Sequence, residues 1–112
     1  MSARREVRFW VAQRLTAVVL AVCVAVHLVT IILAVRGGLT AAEILDRTRG
    51  SVGLAAFYGT FVVAAAIHGA IGLRNVASEW LGWRGDAADF VLAILALLLA
   101  ALGFRAVWAV YA

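Results

Sequence analysis

Two histidines, His27 and His68, lie inside stretches that are otherwise apolar. An imidazole in hydrocarbon is costly, so each is a functional-site candidate by default. Around the second the chain reads Ile67-His68-Gly69-Ala70-Ile71-Gly72-Leu73-Arg74-Asn75-Val76-Ala77-Ser78-Glu79-Trp80. A period of 3.6 puts His68, Gly72, Asn75 and Glu79 on one helical face. Gly72 lacks a side chain, and Ala64 and Ala65 are small, which leaves room beside His68 for a flat, bulky group. A neutral imidazole so placed suits the axial position of a b-type haem, making His68 a candidate ligand of the haem iron. Where the same face reaches the membrane surface, its polar groups suit a quinone. The plainer alternative is that the small residues pack helices and His68 hydrogen-bonds across a bundle.

His27 belongs to a second stripe. Gln13, Thr16, Cys23, His27 and Thr30 fall within an arc of about 100°, which faces protein, cofactor or water rather than lipid. His27 is a candidate for a second haem ligand, or a hydrogen-bonded packing residue. Depth helps to relate the two histidines. Arg14 to His27 is about 20 Å of helical rise and His68 to Arg74 about 9 Å. Measured from one surface along antiparallel helices, the imidazoles lie roughly 10 Å apart in depth. A six-coordinate haem needs both imidazoles at one depth, so each would need a partner histidine from another subunit. Near that surface, Arg14 suits haem propionates or a quinone carbonyl, and Glu79 and Trp80 lie in the quinone's vicinity, where a carboxylate can relay protons. Equally, Arg14 and Arg74 read as topology charges and Glu79 as a solvated helix end. No residue carries a catalytic assignment.

The elements that must position these groups are membrane helices. Of the 112 residues, 66% are hydrophobic and 14% charged, with mean hydropathy +1.05. That excludes an ordinary soluble domain. The net charge of +4 comes from ten arginines and six acids, and in this setting reads as surface anchoring in membrane lipid, not nucleic-acid binding. Cys23 is the sole cysteine, so there is neither an internal disulfide nor a cysteine metal cluster. Proline is absent, so nothing forces a kink.

The chain reads as one all-α integral membrane domain, residues 1–112, with three transmembrane helices over about 10–36, 52–77 and 88–111, part of a multi-subunit helical bundle. A basic lead, Met1 to Arg8, precedes the first span; a signal peptide is the alternative there, but the apolar core exceeds the usual ~7–15 residues. Arg36-Gly37-Gly38 stops that span. Thr40 and Glu43 have capping-box spacing and start a short interfacial helix through Asp46. Arg74 to Asp89 reads as a polar turn bearing Trp80 and Trp83, and Arg105 snorkels from the third span. Arg4, Arg5, Arg8, Arg14, Arg74 and Arg84 on one side, against Arg36, Arg47, Arg49 and Arg105 on the other, favour a cytoplasmic N-terminus. With no extramembrane domain, the chain has nowhere to house a flavin, an iron–sulfur cluster or a soluble-substrate site, so its function depends on partners.

These residues resemble the small membrane-anchor subunits of succinate dehydrogenase and fumarate reductase (complex II), over nearly the whole chain. Phe9-Trp10-Val11-Ala12-Gln13-Arg14-Leu15-Thr16-Ala17 is similar to the family's arginine-containing entry to its first helix. His68-Gly69-Ala70-Ile71-Gly72-Leu73-Arg74, with Glu79-Trp80, is similar to its haem-ligand histidine, the glycine four residues on, and the acidic–aromatic pair near the quinone. The resemblance implies that His68 is the axial haem ligand, that Arg14 lies near haem propionates and quinone, and that Glu79 stands for an acid that is usually aspartate. Trp80 stands where the smaller anchor has a quinone-bonding tyrosine. Trp10 departs from the family too, lying near the position of the larger anchor's serine. Arg74 is like the larger anchor, the short length and ending like the smaller. His27 resembles the first-helix histidine of two-haem members, which serves a distal haem. The implied complex adds a flavoprotein subunit, an iron–sulfur subunit, and a second anchor subunit or another copy of this chain. It lies in the inner (cytoplasmic) cell membrane and passes electrons from the iron–sulfur subunit to quinone, with one or two b haems. The rivals are a haem-free structural anchor, the haem-b subunit of another quinone-linked dehydrogenase, and a homo-oligomer in which two copies of His68 meet on a symmetry axis.

Overall fold

Caps and glycines decide where these helices end. The computed structural model describes residues 2–112 and folds them into α1 (Ala3–Gly37), α2 (Ala41–Thr48), α3 (Val52–Leu81) and α4 (Asp86–Tyr111). The protein is all-α; α1, α3 and α4 are each long and apolar enough to cross a membrane. The basic lead is part of α1: the Ser2 hydroxyl accepts from the Arg5 N–H at 3.2 Å and starts the helix there. Thr40 and Glu43 make the reciprocal capping box that their spacing predicts. The Thr40 N–H and hydroxyl hold the Glu43 carboxyl below the usual carboxylate range. The short helix continues past Asp46 to Thr48.

The expected polar turn from Arg74 to Asp89 is much shorter in the structure. Helix α3 runs on to Leu81, and only residues 82–85 leave helical geometry. Polar side chains do not end a helix; backbone conformation does. Gly82 (φ 65°) and Gly85 (φ 103°) adopt left-handed φ values that other residues resist. The N–H groups of Gly82 and Trp83 both return to the Ala77 carbonyl. Arg74, Asn75 and Glu79 therefore stay on a continuous helix and keep a fixed angular relation to His68.

Helix α3 is the middle of the bundle, packed on α1 along one side and on α4 along the other. Its buried positions are mostly alanines: Ala64, Ala66, Ala70 and Ala77. Small residues let helices approach where lipid supplies no hydrophobic drive. Helices α3 and α4 approach closely at Gly103, where an added Cβ would lie 2.5 Å from Val62 Cγ1 and 3.2 Å from Val62 Cβ. At the far end, the Thr48 hydroxyl donates to the Val110 carbonyl (2.8 Å) and the Gly50 N–H to the Tyr111 carbonyl (3.0 Å). The end of α2 and the turn after it thus satisfy carbonyls that the end of α4 leaves without intrahelical partners.

Little of the apolar surface is covered by the chain itself. Within their most apolar stretches α1 and α4 are each 6% buried and α3 is 22% buried. Side chains such as Leu15, Val18, Leu33, Leu97 and Trp108 point outward. Such a surface requires lipid or other membrane helices around it.

The glycine contacts give a test. Val62 is β-branched and cannot swing aside, so Gly103→Ala should overpack the α3–α4 seam and cost about 1–3 kcal/mol. Gly69 has open space where its Cβ would be, so Gly69→Ala should be neutral or stabilise by up to about 1 kcal/mol. Thermal midpoints in detergent check both; equal midpoints for the two variants would contradict the close seam.

Candidate functional site

His68 is half-buried on α3, facing α1. Its Nδ1 lies 3.2 Å from the Thr16 hydroxyl. That hydroxyl has one proton, and it donates to the α1 carbonyls of Ala12 (2.8 Å) and Gln13 (3.1 Å). Toward His68 it therefore presents a lone pair and accepts Nδ1–H. In the neutral ring that arrangement leaves Nε2 as the nitrogen without a proton.

His68 forms part of the wall of a cleft of about 660 Å³ between α1 and α3, together with Trp10, Gln13, Arg14, Arg74 and Asn75. Volumes of roughly 300–1,000 Å³ are typical of small-molecule sites. The structure thus brings Arg14 and His68 together, as their motifs suggest. Arg14 is exposed, its guanidinium 5.4 Å from the Trp10 ring centroid, with no carboxylate partner among the described residues. Gln13 Oε1 is buried without a hydrogen-bond partner. The space beside Gly72, expected to admit a flat group, is next to the Gln13 amide instead: an added Cβ would lie 3.5 Å from Gln13 Nε2. Gly72 thus accommodates a side chain of α1.

Arg74 takes a role that spacing did not reveal. It is 7% exposed and clamped between helices. Its Nη2 donates to Glu6 of α1 at 2.6 Å and its Nε to Asp89 of α4 at 2.7 Å, while the guanidinium stacks 4.2 Å from the Phe9 ring centroid. Arg5 closes the circuit, 2.7 Å from Asp86 and 3.4 Å from Asp89. Glu6 and Asp89 are 68 and 15 residues from Arg74 in the chain, so no local motif links them. The only sequence signal was that acids are scarce here and that these lie near the starts of spans.

Glu79 and Trp80 are exposed, Trp80 at 82%, and neither forms part of the cleft wall within this chain. They face outward at the end of α3. His27 stands well away from His68. Its Nδ1 is 3.0 Å from the Tyr58 hydroxyl, and its ring packs edge-on against Tyr58 and Phe61. The Thr30 hydroxyl donates to the His27 carbonyl (2.7 Å) and lies 3.4 Å from the Tyr58 oxygen. Since His68 is level with Thr16 and His27 with Tyr58, the imidazoles are about 16 Å apart in depth rather than roughly 10 Å. The shorter figure assumed that Arg14 and Arg74 mark one surface. Arg74 pairs with Glu6, two turns nearer the N-terminus than Arg14.

The clamp is testable by neutralising its acids. Removing one partner from a buried ion pair typically costs ~3–5 kcal/mol. Asp89→Asn should fall near the bottom of that range, because Arg74 keeps Glu6. Glu6→Gln should cost less, since the Glu6 side chain is 48% exposed and that of Asp89 only 15%. Thermal unfolding in detergent ranks the two, and the reverse order would refute the assignment.

One family model matches residues 1–107, that of the succinate dehydrogenase/fumarate reductase transmembrane subunit. No curated protein and no solved structure matches the chain. With three helices able to span a bilayer, the family match makes this a multi-pass membrane protein that functions in a complex with other subunits. The chain belongs to the family of succinate dehydrogenase/fumarate reductase transmembrane subunits.

Proposed function

We propose that this chain is a membrane-anchor subunit of a succinate:quinone oxidoreductase, that it binds haem b through His68, and that it helps form the quinone site. The observation that carries the reading is the cleft between α1 and α3. It combines an imidazole, whose Nδ1 is engaged by Thr16 and whose Nε2 is left for a metal, with a cation that has no carboxylate partner among the described residues. The donor set fits haem b: Nε2 for the iron and Arg14 for a propionate. Haem b, when bound, supplies a one-electron carrier inside the membrane. A second imidazole for the iron would have to come from another anchor subunit or another copy of this chain, because His27 is at a different level.

In this reading the soluble partners are a flavoprotein and an iron–sulfur protein on the cytoplasmic side of the inner membrane. Dicarboxylate oxidation or reduction occurs on the flavoprotein. The α3–α4 end of this chain then faces the iron–sulfur subunit, where Glu79 and Trp80 are free to border a quinone shared with it. Arg14 and the Gln13 amide hold polar ligand groups at the mouth of the cleft, and Trp10 and Phe9 keep water from its apolar side. The difference in level also favours a second reading for His27: a haem there would be a separate, distal one.

The experiment is an absorption spectrum and a haem-to-flavin ratio on the purified complex. His68→Ala should abolish the b-type band that depends on this chain. Arg14→Gln should keep the band and weaken quinone reduction by ~10-fold or more, the loss of a charge-assisted hydrogen bond of about 1.5–3 kcal/mol. A wild-type complex without a b band, or an unchanged band in His68→Ala, would make the chain a haem-free anchor. Two haems per flavin, one lost with His27→Ala, would establish the distal site.

A further inference from the structure

We infer that Thr16 is a positioning residue for His68, fixing the tautomer and ring orientation through which the imidazole binds iron. The inference rests on the reading of His68 as a haem ligand and extends it to a residue with no role in that reading.

The argument begins with proton counting. A neutral imidazole has one N–H, and either nitrogen can carry it. An iron ligand must leave its metal-binding nitrogen deprotonated, so something has to hold the proton on the other one. Thr16 Oγ1 lies 3.2 Å from His68 Nδ1. Its own proton is committed to the backbone carbonyls of Ala12 and Gln13. It is therefore an acceptor for Nδ1–H, and the carbonyl bonds hold the hydroxyl in one rotamer. The geometry extends across two helices: α1 fixes the hydroxyl and α3 carries the ring.

Position strengthens the case. His68 belongs to the wall of the cleft that holds Arg14 and Gln13, whereas Thr16 does not. With Nδ1 engaged by Thr16, Nε2 is the nitrogen left for a ligand. No other protein group hydrogen-bonds the His68 ring among the described residues. Without Thr16 the ring could carry its proton on either nitrogen and rotate about χ2. Outer partners of metal-ligating histidines typically contribute 10–100-fold in affinity, and they also make the imidazole a stronger electron donor. A stronger donor favours the ferric state, so losing the hydrogen bond should raise the midpoint potential.

The test uses the intact complex with three substitutions at this position. Thr16→Val keeps the shape and removes the acceptor; Thr16→Ser keeps the hydroxyl; Thr16→Ala removes both without adding bulk. Haem per flavin after a dilution chase and the midpoint potential of the b band are measured for each. Thr16→Val should weaken haem retention 10–100-fold and raise the potential, and Thr16→Ser should restore both. Unchanged retention and potential in Thr16→Val, or no rescue by Thr16→Ser, overturns the inference. If the valine variant does not assemble, Thr16→Ala carries the same expectation and the same refutation. His68→Ala run in parallel separates the two claims. Loss of the band in His68→Ala with normal behaviour in Thr16→Val defeats only the role of Thr16. An intact band in His68→Ala defeats the ligand reading and this inference with it.

Discussion

A guanidinium held between three helices is the constraint on which one end of this bundle depends. Arg74 is charged under all ordinary conditions and almost fully buried. It cannot shed its charge, so anions must come to it, and they come from different helices. Glu6 reaches it from α1 and Asp89 from α4. Apolar contacts between membrane helices leave rotation and sliding cheap, because lipid replaces them at little cost. A bidirectional ion pair does not: a turn or a slip of α1 would leave a buried charge exposed to hydrocarbon. The clamp therefore sets the register of α1 and α4 against α3.

Register is what makes the cleft. With Glu6 within reach of the Arg74 side chain, Gln13 falls beside Gly72 and Thr16 beside His68. These pairs follow one another along the antiparallel α1–α3 seam. The acids of α4 also stand in its first turn, where Gly85 supplies no side-chain cap, so Asp86 and Asp89 complement the helix dipole while they pair with arginines. The same side chains thus serve the end of a helix and the junction of three.

The two arginines of the site region divide the work. Arg74 is neutralised by carboxylates and serves the architecture. Arg14, a residue of the same type only a few ångströms deeper, has an aromatic neighbour and no acid among the described residues, so its charge is available to a ligand. The histidines divide similarly. His68 is placed beside the cleft with its Nδ1 3.2 Å from the Thr16 hydroxyl. His27 is enclosed by Tyr58, Phe61 and Thr30 near the opposite end. One helix pair therefore holds two imidazole environments separated by about three turns.

Hydropathy and spacing alone were enough to establish the all-α membrane class, three long apolar helices and the short capped helix between the first two. Each follows from local physics: the length of an apolar run, glycine at a helix end, a threonine three residues before a glutamate. The family, too, was legible in the order of His68, Gly72, Arg74 and Glu79. Spacing also put the Gln13–Thr30 stripe on one face, and that face meets α3. What tertiary structure alone decided is which groups meet across helices. The Glu6–Arg74–Asp89 clamp joins positions far apart in sequence, and the depth of His27 relative to His68 depends on how far α1 slides along α3. Nothing within a single helix encodes that slide. It is set where a buried charge finds its partners, and those partners are on other elements of the chain.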